Sequence, residues 1–229
     1  IFFSPKKQDI FNELKRFAQW TELDIVMEEE AVLFYGYTLP HDSVGQILTP
    51  FKQKAQEIEL ANILPDNTAV MVYFAVEDFG KYLDSRATND NWIGKEWAYV
   101  LDDSYTADKT AGAFAVIKMK DPPVVGHSKS DELFDTLSAA VDKNYQGFRI
   151  NRIDKKLSLE HLLGGLFEDF KSSSFTIIED YVVFANSLAG LKQFIDKYQT
   201  QQTLGKDLSY LKFAEQTVSS ANLYLYVNT

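Results

Sequence analysis

Several residue groups have types and spacings that could do chemistry. Ser4-Pro-Lys-Lys7 shows the Ser-x-x-Lys spacing with which an amine can take the proton of an attacking serine hydroxyl. That chemistry also draws on Ser-Asp-Asn and Lys-Thr-Gly segments. The first is absent, and Lys109-Thr-Ala-Gly112 misses the second by an insertion. Ser4 before Pro5 explains itself as a helix cap. His41, His127 and His161 sit in unlike contexts, two beside turn residues and one beside Glu160, with no His-Glu-x-x-His spacing for a metal. Asp102, Asp103 and Asp108 share one loop and could offer oxygens to Ca2+. The EF-hand order, its central glycine and its closing Glu are missing, so a solvated acidic loop is expected. Glu28-Glu29-Glu30 would repel one another anywhere but at an exposed turn. Paired carboxylates for glycoside hydrolysis are set by spatial rather than sequential distance; Asp102, Asp103 and Glu179 are the acids such a hydrolase would use. Gly164-Gly165 lies among leucines and reads as close helix packing, not as a phosphate loop. These patterns imply no cofactor, no metal and no catalytic residue.

The totals narrow the class of protein further. In 229 residues, 33 acidic side chains outnumber 23 basic ones, for a net charge of −10. Phosphate binding needs clustered Lys and Arg, so nucleic acid and anionic membrane surfaces are poor partners. No apolar run approaches the ~20 residues of a membrane span. The absence of cysteine excludes disulfides, zinc-thiolate sites and a Cys nucleophile, and leaves the compartment open. The 17 Phe and 12 Tyr favour sheet over a helical bundle. The chain opens on Ile-Phe-Phe and closes on an apparent strand. Both ends read as cuts through a longer protein, with any anchor outside this segment.

The elements that must position these residues follow from periodicity. Residues 172–186 predict a hairpin turning at Glu179-Asp180, with strands at 175–178 and 181–185. Residues 23–36 repeat the pattern, and the return strands start 150 residues apart, at Ala31 and Tyr181. Strands are expected at 68–76, 97–101, 113–119, 145–153 and 222–227. Helices are expected after Ser4-Pro5 and Thr49-Pro50 (Phe51, Ala55, Ile58), at 79–83, from Ser130 through Ala140 and Val141, across Leu159 to Phe170, after Ser187, and around Leu211 to Ala214. Residues 85–95 read as irregular. The fold class is α+β: a mixed, largely antiparallel sheet with helices packed mainly on one face, built from two similar helix-hairpin-helix-strand units. Residues 1–62 are expected to form an N-terminal helix-hairpin-helix segment, the tail of a preceding unit, and 63–229 the main unit, the two together one compact structure cut from a longer chain.

Two stretches carry a family resemblance. Ile63-Leu-Pro-Asp-Asn-Thr-Ala-Val-Met-Val-Tyr-Phe-Ala-Val-Glu-Asp-Phe79 resembles the Leu-Pro-x-x-Thr strand opening of the DUF3352 family, and 175–195 resembles its hairpin running straight into a helix. The family has no established activity and its members look exported and often membrane-anchored. The resemblance therefore implies an extracytoplasmic module, periplasmic or at the cell surface and of a kind often held by a lipid anchor, and carries over no catalytic residue. The leading expectation is a non-enzymatic binding or envelope-structural module whose partner is a protein or envelope component. A hydrolase of an envelope polymer and a cytoplasmic accessory protein are the alternatives. For a partner surface, the closing strand places Leu223, Leu225 and Val227 on one face and Tyr224 and Tyr226 on the other. Aliphatic side chains fill a core well, so the expected exposed cluster is Tyr224 and Tyr226, joined by Tyr73.

Overall fold

The computed structural model describes residues 20–27, 32–39, 52–82, 92–105, 112–121, 140–153, 159, 167 and 170–228. The chain divides into two compact units, Ile1–Lys52 and Gln53–Thr229. The division falls before the expected one at Asn62. Leu60, Ile63 and Leu64 are buried in the core of the second unit and hold that stretch to it.

In the first unit β1 (Trp20–Met27) and β2 (Val32–Leu39) form an antiparallel hairpin, with Trp20 opposite Leu39 and Met27 opposite Val32. This is the hairpin expected there. The helix expected after Ser4 and the Glu28-Glu29-Glu30 turn lie outside the described residues.

The second unit is built on one eight-stranded sheet. Its strands are β4 (Thr68–Ala75), β5 (Ile93–Asp102), β6 (Ala113–Met119), β7 (Ala140–Tyr145), β8 (Phe148–Arg152), β9 (Ser174–Ile178), β10 (Tyr181–Ala185) and β12 (Leu223–Val227). Their order is β12-β4-β5-β6-β10-β9-β8-β7, and every neighbouring pair is antiparallel. A small ribbon pairs β3 (Gln56–Glu57) with β11 (Ser220–Ala221). Three α-helices occur among the described residues: α1 (Phe79–Tyr82), α2 (Leu188–Gln199) and α3 (Leu208–Glu215). The protein is thus an α+β structure with a large antiparallel sheet. No helix among the described residues is long and apolar enough to cross a membrane.

Each face of the sheet has its own cover. Ser187 caps α2 by accepting the Gly190 N–H, and the apolar side of α2 then carries Leu191, Phe194 and Ile195 onto β9 and β10. Phe194 meets Phe114 edge-to-face at 5.1 Å. Asp207 caps α3, whose Tyr210 and Phe213 pack on Tyr226. On the opposite face Trp97 stacks on Phe74 and meets Phe79 and Tyr82, while Tyr99 meets Phe167 and Phe170. All five residues of β10 are buried, so this strand is covered from both sides.

Four local expectations are corrected. Of the helix expected over Phe51, Ala55 and Ile58, Phe51 lies outside the described residues, and Ala55 to Ile58 are extended chain around β3. The Ile58 N–H donates to the Ser219 carbonyl, and pairing with β11 overrides the helical spacing. The irregular stretch 85–95 contains the start of β5, at Ile93. Ala140 and Val141 begin β7 instead of ending a helix. The single strand expected over 145–153 is the turn and return of a hairpin. Gln146 and Gly147 both take positive φ, 49° and 87°, as a two-residue hairpin turn of the right hand requires. The body of the helix expected from Ser130, and most of the one expected across Leu159 to Phe170, lie outside the described residues.

The core reading makes a simple prediction. Phe194 is buried between α2 and β6, so Phe194→Ala should lose about 3–5 kcal/mol of unfolding free energy in a urea titration. A loss below about 1 kcal/mol would show that α2 does not seat on the sheet.

Candidate functional site

The most perturbed ionisable cluster among the described residues centres on Glu96. Strand alternation places Glu96 in line with Ala98 and Val100, on the face that α2 and α3 cover. It is 3% exposed. Its Oε1 accepts the hydrogen bond of the Tyr181 hydroxyl and lies 3.5 Å from Lys118 Nζ, and its Oε2 accepts the Glu59 N–H at 3.3 Å. Lys118 also donates to the Glu59 carboxylate, lies 3.6 Å from Asp180 Oδ2, and stands over the Tyr181 ring. The Tyr73 hydroxyl donates to the Glu57 carbonyl at 3.1 Å.

Electrostatics follow from this burial. Desolvation pushes the Glu96 carboxyl above the usual range, while the Tyr181 hydrogen bond, Lys118 and Tyr73 pull it back. Burial, and then the Glu96 charge, push the Tyr73 and Tyr181 hydroxyls far above their ordinary value. Burial pulls the Lys118 amine down, but its bond to Glu59 and the charges of Glu96 and Asp180 outweigh that and leave it raised. A raised carboxyl beside a tyrosine and a lysine is the kind of group that can move protons. Here both Glu96 oxygens are engaged and Glu96 itself is buried, while Lys118, Asp180 and Glu59 reach the surface; the cluster ties β5, β6, the β9–β10 turn and the segment before Leu60 together.

The acids expected for a hydrolase are not brought together. Asp102 is buried at the end of β5, where its Oδ1 accepts the Ser104 N–H at 2.9 Å and the Ser104 hydroxyl at 2.6 Å. Burial raises its pKa, with Ser104 opposing. Gly112 closes this loop at φ 75°, and a Cβ there would meet Asp102 Oδ1 at 2.1 Å. Asp103 is exposed and accepts from the Asn67 side chain. Glu179 sits in the β9–β10 turn at φ 54°, where it accepts the Tyr198 hydroxyl at 2.7 Å; burial and this contact push Tyr198 up to about 12. Asp102 and Glu179 flank opposite ends of β6, roughly 20 Å apart by strand rise. No group of three His, Asp or Glu side chains converges for a metal among the described residues. Ser4, Lys7, His41, His127, His161, Asp108, Gly164 and Gly165 lie outside them.

The tyrosine surface is corrected. Tyr73 is wholly buried, Tyr226 is 7% exposed and Tyr224 is half-buried. Leu223, Leu225 and Val227 take the outer position, with Leu225 61% exposed. The phase is opposite to expectation because the helix face has to be spanned by large rings: Tyr226 meets Tyr210 at 5.3 Å and Phe213 at 5.7 Å. The hydroxyls find rim partners, Glu57 O for Tyr73 and Thr217 for Tyr224. The aliphatic row of β12 adjoins the half-buried Val70, Val72 and aromatic Phe74 of β4. Sequence reasoning missed Glu96 and Lys118. Their signal was present: each is a charge at the inward parity of an otherwise apolar strand, Glu96 with Ala98 and Val100, Lys118 with Phe114 and Val116.

Two outcomes test this geometry. Tyr226→Ser should cost about 3–5 kcal/mol, as large-to-small aromatic changes in cores do, whereas Leu225→Ser should stay within about 0.5 kcal/mol by thermal unfolding. The reverse ranking would restore the expected phase. A carboxyl whose folded pKa is raised contributes stability below its unfolded pKa and loses it as pH rises through the folded value. Relative to Glu96→Gln, the wild-type chain should therefore gain stability as pH is lowered from about 8 toward the ordinary Glu value of ~4.3. Lys118 stays charged throughout that window, so a flat or opposite trend would mean that Glu96 is not held above its normal range.

Neither a curated protein nor a solved structure matches the chain. The family described as "Protein of unknown function (DUF3352)" matches residues 89–229, which span β5 to β12 and with them Glu96, Lys118, Tyr181 and the aliphatic row. The chain belongs to the DUF3352 family.

Proposed function

We propose that this chain is a non-catalytic binding or envelope-structural module that works outside the cytoplasm, with membrane attachment through an anchor beyond this segment. The observation that carries the reading is the exposed aliphatic row Leu223, Leu225 and Val227 beside Val70, Val72 and Phe74. A row of this kind at a sheet margin suits a partner that buries it. The engagement of both Glu96 oxygens and the separation of Asp102 from Glu179 support binding over hydrolysis. The location rests on the family resemblance and is part of the same proposal.

The proposal extends to the build of the chain. The β1–β2 and β9–β10 hairpins, and β4 and β12, are taken as equivalent elements of two similar units. That β4 and β12 lie side by side and antiparallel, as a local twofold axis would place them, supports this. The helices cover mainly the face that bears Phe194 and Tyr210, a reading supported by α2 and α3 both lying there.

Photocrosslinking tests the function. With a photoreactive amino acid at position 225, in cells producing the protein from its own locus, an adduct should form and should be absent with the label at exposed Glu57. No adduct at 225, together with polymer hydrolysis abolished by Glu96→Gln, would replace the binding reading with the enzymatic one.

A further inference from the structure

We infer that the partner of the aliphatic row is a second copy of this chain, joined through β12 by antiparallel strand pairing about a twofold axis at Leu225. The inference rests on the binding reading above and deepens it.

The Ala75 N–H donates to the Asn222 carbonyl, and the Asn228 N–H donates to the Ala69 carbonyl. In an antiparallel ladder alternate residues bond to one neighbour. With Tyr224 opposite Tyr73 and Tyr226 opposite Met71, the even-numbered residues of β12 turn their N–H and C=O groups to β4. Leu223, Leu225 and Val227 therefore turn theirs to the other edge, which no described strand pairs, for β12 ends the sheet among the described residues. The three residues with exposed side chains are the three that offer an unfilled ladder.

The sequence of β12 carries no charge, proline or bulge to protect that edge. Edge strands avoid pairing by carrying charge, proline or a bulge. The opposite edge, β7, has Asp142 and Lys143 in its sequence and a register break between Val141 and Lys143. β12 reads Leu-Tyr-Leu-Tyr-Val and pairs with β4 in unbroken register. No charged residue occurs from Gln216 to Thr229. In a chain of net charge −10, a like-charged copy meets no charged side chain of this stretch.

The strand is also self-complementary. A twofold axis at Leu225 sets Leu225 against Leu225 of the second copy, and Leu223 against its Val227. The outward groups then meet in register, and the aliphatic row runs on unbroken across the join. A twofold contact uses the same patch twice and closes, which yields dimers instead of filaments.

Sedimentation equilibrium of the purified chain, with charge-swapped variants, tests this. The wild-type chain should dimerise reversibly with concentration. Leu225→Lys and Leu225→Glu each set like charges directly opposite across the axis and should weaken the dimer about tenfold or more. Mixed in equal amounts, the two variants should restore it. Leu211→Lys, an exposed change on α3, should leave it intact, and melting temperatures should show all variants folded. A wild-type chain that stays monomeric at the highest attainable concentration would overturn the inference, as would open-ended assembly, indifference to Leu225→Lys, or failure of the mixture to pair. The crosslink at 225 separates the two levels. A foreign protein captured there keeps the binding reading and removes self-pairing, whereas no adduct removes the binding reading itself.

Discussion

One cross-strand row, Tyr224–Tyr73–Ala98–Val116–Val183–Thr176, crosses six strands of the sheet and decides which face every side chain takes. Because side chains alternate with a period of two, a one-residue slip in any strand would send its apolar set to the wrong side. β10 is buried on both faces, and its register is set by the two-residue Glu179-Asp180 turn that pairs Tyr181 with Ile178. Register then passes outward through β6, β5 and β4 to β12. The aliphatic residues of β12 face outward because the centre of the sheet has already assigned its tyrosines to α3.

The same constraint explains the Glu96 cluster. Once Ala98 and Val100 are fixed inward, Glu96 must follow them, and Lys118 must follow Phe114 and Val116. A lone buried carboxylate would be costly, and the surroundings offset this with a tyrosine hydroxyl, an ammonium and a backbone N–H. Those partners come from parts of the chain far apart in sequence: Glu59, Lys118 and Tyr181. The cluster thus holds the segment before Leu60 and the β9–β10 turn against β5 and β6.

Much of the sheet was legible in the sequence because its strands are apolar, rich in aromatic and β-branched residues, and bounded by turn signals. The hairpin at Glu179-Asp180 and the Ser187 cap are examples. The Gln146-Gly147 turn was not legible, because glutamine seldom marks a position of positive φ. The strand at Gln56 was hidden by helical spacing, and only its distant partner β11 makes it extended. The tyrosine error has a plain cause: alternation shows that two faces differ, and the dimensions of the facing layer decide which face is inside. Glu96 and Lys118 were legible in principle, since opposite charges at the inward parity of two apolar strands signal a buried ion pair.

Hydrogen exchange at single amides measures the phase of β12 most directly. In dilute solution, where the chain is monomeric, the Tyr224 and Tyr226 amides should be strongly protected by β4, while the Leu223, Leu225 and Val227 amides should exchange orders of magnitude faster. Slow exchange at Leu225 with fast exchange at Tyr224 and Tyr226 would contradict the account, because it would place the tyrosine amides at the free edge and the leucines against β4.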